Sequence, residues 1–462
     1  MRVELRPVVC QPQLPFGLHA ISQALRSGHC TSEDIVGIYL ERIAALDPRL
    51  GAYEHVASRE ALAAARAIDA LRSGGTNLGP LMGIPVAVKD SYSSHGMPIA
   101  VGSDVDVRDR VEPEGSFVRA LKRAGCIILG TTRMTEFASG TINLVRRPPW
   151  NPWDPDTQRM PGGSSSGSAV ALAADLCAFS IGSDTGGSVR QPAAMCGLFG
   201  YKATVGRWPM DGIFPLSRTL DSVGWFTKTA ADSATVFGAL SGEPCPRRAP
   251  LRGLRLGMPR ERFFDDLASE VAAHVDDALH RLVEAGAELV PFELPEVTGT
   301  EAAFAKLVPA ELLAELGVER FHANAWLIDA VPRARLSQVL GLQATEYIGI
   351  LRAHYAAVRA ATERMAALDA WVAPTVPVLP IAVAACATLE AAVAWNQRST
   401  RNTQPVNYLG QCAVSMPLHG PHTHLPVGLQ IACAPGEDGR LLSIALAIED
   451  EIGPGRGPPP PT

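Results

Sequence analysis

Two segments of this 462-residue chain concentrate side chains that could perform nucleophilic catalysis. The segment 161–207 contains PGGSSSGS and then GSDTGGSVRQPAA, and the segment 79–92 contains IPVAVKDSY. A serine hydroxyl becomes a nucleophile when a neighbouring base takes its proton. A lysine in an apolar strand can be that base, because desolvation lowers its pKa from about 10.4. Lys89, which ends the apolar run IPVAV, is therefore a candidate base.

Two interpretations of the Gly/Ser-rich stretch involve no catalysis by serine. A flexible linker is disfavoured, because the apolar runs 169–172 and 178–181 follow and belong to core-forming sequence. A phosphate-binding loop is disfavoured because the lysine of that motif is missing. Gly162 and Gly167 have the required separation, but Ser168 stands where the lysine should reach the phosphates.

A third interpretation is the nucleophile elbow of α/β hydrolases. Residues 163–167 match G-x-S-x-G, which would make Ser165 the nucleophile. That elbow must follow a β-strand. The preceding residues 146–162 are rich in proline and cannot form one, so this interpretation is also disfavoured.

The motifs GGSSSGS, GSDTGGSVRQPA and CGLFGYK closely resemble the amidase signature family. In that family a serine after a double glycine precedes the nucleophile by 24 residues, which is the separation of Ser164 and Ser188. The resemblance continues in order through GPLMGIPVAVKDSY, GCIILGTTRMTEFASG, TLDSVGWFTKTAADSA, DAWVAPTVP and the segment 403–450. Only the interval 240–368 is weakly similar.

The resemblance implies a catalytic triad of Ser188 as nucleophile, Ser164 as proton relay and Lys89 as base. It implies a cis peptide bond before Ser164. It also implies an oxyanion hole formed by the backbone amides of Thr185, Gly186, Gly187 and Ser188. Gly186 and Gly187 fit that role because they leave the turn around the nucleophile uncrowded.

Six further residues are predicted to belong to the site. Ser165, Asp184 and Arg190 are expected to support the reacting groups by hydrogen bonds. Residues predicted to contact the substrate are Ala138, Gly140 and Arg207, the last of these in RWPMDGIFPL.

Three functions are compatible with these residues. The favoured one is a stand-alone amidase that hydrolyses a small amide, carbamate or urethane, or an aryl ester, through an acyl-serine intermediate. The alternative is the glutaminase (A) subunit of a tRNA-dependent amidotransferase. A catalytically inactive binding protein is least favoured, since Lys89, Ser164 and Ser188 are all present. We expect a monomer or homodimer.

Composition excludes several other classes of protein. The net charge of −6 and the absence of a basic block exclude direct nucleic-acid binding. The N-terminus lacks the apolar core of a secretory signal, and the apolar run 169–179 is interrupted by Asp175 and too short to cross a membrane. The nine cysteines include no CxxC pair and are expected to be reduced, so we predict a cytoplasmic protein.

No metal or cofactor is predicted. His419, His422 and His424 form the cluster HGPHTH between two predicted strands, without cysteine or carboxylate neighbours in sequence. A polar hairpin loop is the better interpretation of that cluster than a metal site.

The elements that position these residues indicate an α/β fold, with a large mixed β-sheet flanked by helices on both faces. Predicted strands are 84–88, 126–130, 178–183, 253–259, 287–292, 370–375, 412–418 and 426–432. The expected organisation is an N-terminal helical segment (1–75), a core with the catalytic residues (76–240), a variable helical and pocket region (241–368), the remainder of the core (369–452) and a disordered tail (453–462).

Overall fold

All strands belong to one mixed sheet. The computed structural model describes residues 17–111 and 113–459. The strands are Tyr53–Val56 (β1), Pro85–Lys89 (β2), Ile127–Thr132 (β3), Phe179–Asp184 (β4), Phe199–Lys202 (β5), Ser222–Thr227 (β6), Arg255–Met258 (β7), Glu288–Pro291 (β8), Ala370–Pro374 (β9), Cys412–Leu418 (β10) and Val427–Cys433 (β11).

Helices surround this sheet. Within the described residues they are Leu18–Arg26 (α1), Ser32–Leu50 (α2), Ser58–Ser73 (α3), Ser116–Arg123 (α4), Ser166–Ala173 (α5), Arg190–Cys196 (α6), Ala230–Ser241 (α7), Ser269–Glu284 (α8), Thr300–Ala302 (α9), Val308–Leu316 (α10), Val318–Asn324 (α11), Ala330–Gln338 (α12), Ala344–Met365 (α13), Leu389–Thr400 (α14), Gln404–Tyr408 (α15) and Asp438–Ile452 (α16). In the part of the chain described here, no helix is long and apolar enough to cross a membrane.

The strand order is β1-β3-β2-β4-β6-β5-β10-β11-β9-β7-β8. Strands β3, β2 and β4 are mutually parallel, as are β9, β7 and β8, and the remaining neighbours are antiparallel. The predicted α/β class with a large mixed sheet is confirmed. Because β2 and β4 are parallel neighbours, the residues at their carboxyl ends lie at the same edge of the sheet.

The residues Thr31-Ser32-Glu33-Asp34 have the form of a capping box, which predicts the start of a helix, and α2 begins there. The Thr31 side chain accepts from the Asp34 amide, and the Asp34 side chain accepts from the Thr31 amide, both at 3.0 Å. A proline near the end of a helical run predicts that the helix stops there, and for Pro48 this prediction is wrong. The helix α2 continues to Leu50 and ends at Gly51, whose φ of 63° provides the left-handed cap.

Three short strands, β1, β5 and β6, were not predicted. They pair with strands elsewhere in the sheet, β1 with β3, β5 with β6 and β10, and β6 also with β4. Each has only four to six residues, and its local pattern gave no clear period. In the 241–368 region, β7 pairs with β9 and β8 pairs with β7, so both strands extend the same sheet.

The histidine cluster lies in the loop between β10 and β11, which form an antiparallel hairpin. His422 Nε2 is 2.8 Å from Asp277 Oδ2, and His419 accepts from the Arg456 amide at 2.6 Å. Residues 453–459 form neither helix nor strand, while the end of the predicted tail, 460–462, lies outside the described residues. The N-terminal residues predicted to lack a secretory signal, and Cys10, which is predicted to be reduced, also lie outside the described residues.

Candidate active site

Lys89 lies at the carboxyl end of β2 and is fully buried. Its Nζ is 2.7 Å from Ser164 Oγ and 2.9 Å from Ser183 Oγ, the latter near the end of the parallel neighbour β4. Burial lowers the pKa of the Lys89 ammonium to about 7, although the carboxylates of Asp221 and Asp184 favour its charged form. The amine is therefore partly neutral near neutral pH and can accept a proton.

Ser164 precedes α5 and is held from both sides of its backbone. The Gly163–Ser164 peptide is cis, as the resemblance implied. The amide of Gly163 donates to Gln191 Oε1 at 2.9 Å, and the Ser164 carbonyl accepts from the Thr135 amide at 3.2 Å. These bonds fix the Ser164 hydroxyl beside Lys89.

Ser188 lies in the turn between β4 and α6, next to this pair. Its carbonyl accepts from the Ser165 amide at 3.2 Å, which joins the two serine-bearing segments. The Ser165 hydroxyl donates to the Ser183 carbonyl at 3.3 Å. The hydroxyls of Ser164 and Ser188 are not hydrogen-bonded to each other in this structure. Catalytic hydrogen bonds of this kind often tighten only when substrate is bound.

Asp184 and Arg190 form a buried ion pair that organises the turn carrying Ser188. The Asp184 carboxylate accepts from the amides of Gly187 at 2.9 Å and Val189 at 3.1 Å, and from both Nε and a terminal nitrogen of Arg190. Both side chains are fully buried. The Arg190 guanidinium holds the pKa of Asp184 well below its usual range, against the effect of burial. Both side chains therefore lie behind the turn that carries Ser188, and their supporting role in catalysis stays a prediction.

The backbone amides of the turn correct one detail of the predicted oxyanion hole. The Gly187 amide is occupied by Asp184 Oδ1, so this residue is not a free donor. The amides of Thr185, Gly186 and Ser188 have no acceptor among the described residues. Gly187 is required for another reason, since its φ is 117° and a Cβ there would lie 2.0 Å from Thr403 Oγ1.

A narrow cavity of about 30 Å³ opens in front of Ser188. Two of the predicted substrate contacts, Ala138 and Gly140, line it together with Thr185, Gly186, Phe304 and Arg335. Ala138 and Gly140 have φ of 57° and 98°, so both lie in the left-handed region that is uncommon for residues other than glycine. An adjoining cavity of about 720 Å³ shares Phe304 and Arg335 with this one.

Arg207 does not reach this cavity, which corrects its assignment as a substrate contact. Its guanidinium pairs with Glu243 and lies over the Phe237 ring, 5.0 Å from the ring centroid. The segment after Arg207 does reach the site through Leu216. The cation at the cavity is Arg335, from the weakly similar region of the sequence.

Sequence reasoning missed other residues that hold the site. The Asp221 carboxylate accepts from Thr185 Oγ1 at 2.6 Å and from the amides of Leu216 and Ser217. It lies within the motif TLDSVGWF, whose acidic residue was the available signal. Arg335 had no such signal. The partly buried position of Arg335 and the buried position of Ser183 could not be predicted from the residues next to them in the sequence.

The described residues contain no group of three histidine, cysteine, aspartate or glutamate side chains that could hold a metal ion. Eight of the cysteines are described and none is in a disulfide. Seven of these are buried, but Cys245 is exposed, because it lies in the extended proline-rich connection that precedes β7.

Comparison with known proteins gives consistent matches. The family model described as Amidase matches residues 34–442. The 2-amino-5-chloromuconic acid deaminase of Comamonas testosteroni is 38% identical over 93% of this chain and 95% of its own length. The glutamyl-tRNA(Gln) amidotransferase of Moorella thermoacetica has an A subunit that is 33% identical over 93% of this chain and 95% of its own length.

Solved structures agree with these matches. A crystal structure of an amidase superposes with a TM-score of 0.86 at 28% identity, covering 95% of this chain and 100% of that one. The native peptide amidase of Stenotrophomonas maltophilia gives 0.81 at 28% identity, covering 97% and 100%. With its fold, its sequence and the family model in agreement, this chain belongs to the amidase signature family of hydrolases that act on carbon–nitrogen amide bonds.

Proposed function

We propose that this protein is a stand-alone amidase in which Lys89, Ser164 and Ser188 form a proton relay and Ser188 becomes acylated. The observation that carries the proposal is the fully buried Lys89, whose Nζ lies 2.7 Å from Ser164 Oγ. A buried lysine with a lowered pKa has no structural need to be there, because a methionine would fill the same space without desolvating a charge.

The relay accounts for every proton in the reaction. Ser188 Oγ attacks the substrate carbonyl carbon while its proton passes to Ser164 Oγ, and the Ser164 proton passes to the neutral Lys89 amine. The amides of Thr185, Gly186 and Ser188 stabilise the oxyanion. The proton then returns through Ser164 to the departing nitrogen, and the amine leaves.

Hydrolysis of the acyl-enzyme repeats the same steps with water. The relay takes a proton from water as its oxygen attacks the acyl carbon, and returns it to Ser188 Oγ as the acid is released. The overall reaction converts an amide and water into an acid and an amine. For the direct transfer of a proton from Ser188 Oγ to Ser164 Oγ, the Ser188 hydroxyl must turn toward Ser164 once substrate is bound.

The substrate proposed is a small molecule. The cavity at Ser188 has room for little more than the reacting group, so the remainder of the substrate lies in the adjoining 720 Å³ cavity. The relative from Comamonas testosteroni is named as a 2-amino-5-chloromuconic acid deaminase, an enzyme whose substrate is a small molecule. A carbamate or urethane or an aryl ester presents the same carbonyl to Ser188 and belongs to the same proposal.

A second candidate is the glutaminase subunit of a tRNA-dependent amidotransferase, favoured by the 33% identity to such a protein over 93% of this chain. That function would require a partner subunit, whereas the stand-alone amidase would act as a monomer or homodimer. We place the amidase in the cytoplasm, where its cysteines would stay reduced.

The test uses the purified full chain and its Ser188→Ala variant. Both are incubated with anilides, aliphatic amides, aryl carbamates, aryl esters and glutamine, and products are detected by mass spectrometry. The proposal predicts turnover of a substrate other than glutamine by the wild type alone. Turnover of glutamine only, and only with a copurified partner, would support the second candidate instead. Equal turnover by the variant would overturn the role of Ser188.

A further inference from the structure

Arg335 places a positive charge on the wall of the cavity that contains Ser188. It lies near the end of α12 and lines both this cavity and the adjoining one. One terminal nitrogen of its guanidinium donates to Ser139 Oγ at 3.0 Å and the other to the Phe304 carbonyl at 3.2 Å. Both partners are neutral, and they fix the guanidinium at the point where the two cavities meet.

No carboxylate among the described residues forms an ion pair with Arg335. Its environment is apolar enough that burial lowers the pKa of its guanidinium to about 10, which still leaves it charged at neutral pH. A guanidinium has five N–H donors, and two contacts leave donors for a ligand. A partly buried cation without an anionic partner is costly, and proteins usually provide the partner.

The approach to Arg335 is also positively charged. Arg335 and three further arginines line the adjoining cavity, and its lining has one acidic side chain, Glu301. Arg262 pairs with Glu301 at 3.5 Å and Arg398 pairs with Asp266 at 3.1 Å, so the uncompensated positive charge lies at Arg335 and Arg401. Arg262 has a buried Nε without a hydrogen-bond partner among the described residues, and Arg401 donates to a neutral backbone carbonyl, that of Asp265. The excess of positive charge in a concave site raises the local concentration of anions.

From these observations we infer that the substrate carries a carboxylate, and that Arg335 binds it while Ser188 attacks the amide carbonyl. The inference deepens the proposed function and rests on it for the reaction. Arg335 acts as a specificity-determining residue, since it touches the substrate away from the reacting atoms. Bidentate contact between a guanidinium and a carboxylate supplies both affinity and orientation.

The test compares matched pairs of compounds that differ only by a carboxylate or a carboxamide. One pair places the group on the acyl side, succinanilic acid against N-phenylsuccinamide, and the other on the amine side, 4-acetamidobenzoate against 4-acetamidobenzamide. Turnover is measured in otherwise wild-type protein, and binding is measured by calorimetry in the Ser188→Ala background. Arg335→Gln, Arg335→Lys and Arg333→Gln are compared in both assays.

We expect at least one carboxylate to be preferred over its carboxamide by about 10- to 100-fold, the effect of one charge-assisted contact. Arg335→Gln should lower kcat/KM and binding for the carboxylate much more than for the carboxamide, so that the preference is lost, and Arg335→Lys should restore part of it. Arg333→Gln removes a charge from the same helix, but Arg333 lines neither cavity and donates to the Ala325 carbonyl, so the preference should remain.

Three results would overturn the inference: no carboxylate preference in binding, no binding of any of the four compounds, or an equal loss for both members of a pair in Arg335→Gln. The last result would mean that Arg335 only anchors the loop at Ser139. A carboxylate preference in binding without turnover that depends on Ser188 would leave the anion site standing and would contradict the proposed function instead.

Discussion

The pKa of Lys89 determines how the activity of this enzyme should depend on pH. Burial lowers that pKa from 10.5 to about 7, a change that corresponds to about 5 kcal/mol favouring the neutral amine. The neutral fraction is then about half at pH 7 and about a tenth at pH 6. For a neutral anilide, kcat/KM should rise about tenfold per pH unit below pH 7 and level off above about pH 8.

The assignment of this titration to Lys89 is testable with Asp221→Asn. The Asp221 carboxylate favours the charged form of Lys89, so its removal should move the midpoint of the profile to lower pH. We expect a shift of about one pH unit, the size of effect that a neighbouring unit charge has at an effective dielectric constant of about 20. The midpoint is the readout, since the rate will also reflect the lost hydrogen bond to Thr185.

Glu136→Gln is the matched control. Burial raises the pKa of the Glu136 carboxyl to about 7 as well, so its titration could be mistaken for that of Lys89. The midpoint should stay in place in this variant. A flat profile from pH 5 to 9, an unmoved midpoint in Asp221→Asn, or loss of the acid limb in Glu136→Gln would each refute the role assigned to Lys89.

Three further predictions concern the turn and the buried charges. Gly187→Ala should lower kcat/KM by at least about 100-fold, because its Cβ would collide with Thr403 Oγ1, and near-normal steady-state kinetics would contradict this. Asp184→Asn should lower the free energy of unfolding in urea by about 3–5 kcal/mol at pH 7, because it leaves Arg190 buried without its anion. This loss should shrink below about pH 4, where the unfolded wild-type carboxyl binds a proton that the folded one does not. A difference in stability that does not depend on pH would argue against the ion pair. In the wild type, Lys89 should make the free energy of unfolding rise by about 3 kcal/mol between pH 7 and 9.5, because the unfolded lysine holds a proton there that the folded one has lost. The Lys89→Met variant should lack this rise. An equal pH dependence of stability in the two proteins would contradict the lowered pKa.

The sequence allowed most of the sheet to be predicted where strands are buried on both faces. The runs that became β2, β4, β10 and β11 are apolar and bounded by glycine or proline, so their length and limits were visible. The strand β1 was missed because its four residues, YEHV, are mostly polar and form a strand only by pairing with β3. Local pattern cannot reveal such a partner.

The residues of the site also divide into those that local sequence motifs predict and those that depend on contacts distant in sequence. Lys89, Ser164 and Ser188 were predictable because each lies in a motif whose spacing is visible in one sequence. Arg335 was not, since a helical arginine is usually exposed, and its place at the cavity depends on how α12 packs against the loop at Ser139. The oxyanion prediction failed at Gly187 because the direction of one backbone amide depends on the carboxylate of Asp184.

The most direct test of the central claim is to trap the acyl-enzyme. The wild-type protein is mixed with an activated aryl ester, quenched in acid within milliseconds to seconds and analysed by intact mass and peptide mapping. The account predicts one added acyl group on the peptide that contains Ser188, absent from Ser188→Ala and formed much more slowly by Lys89→Met. An adduct on another residue, or full turnover by Ser188→Ala, would contradict it.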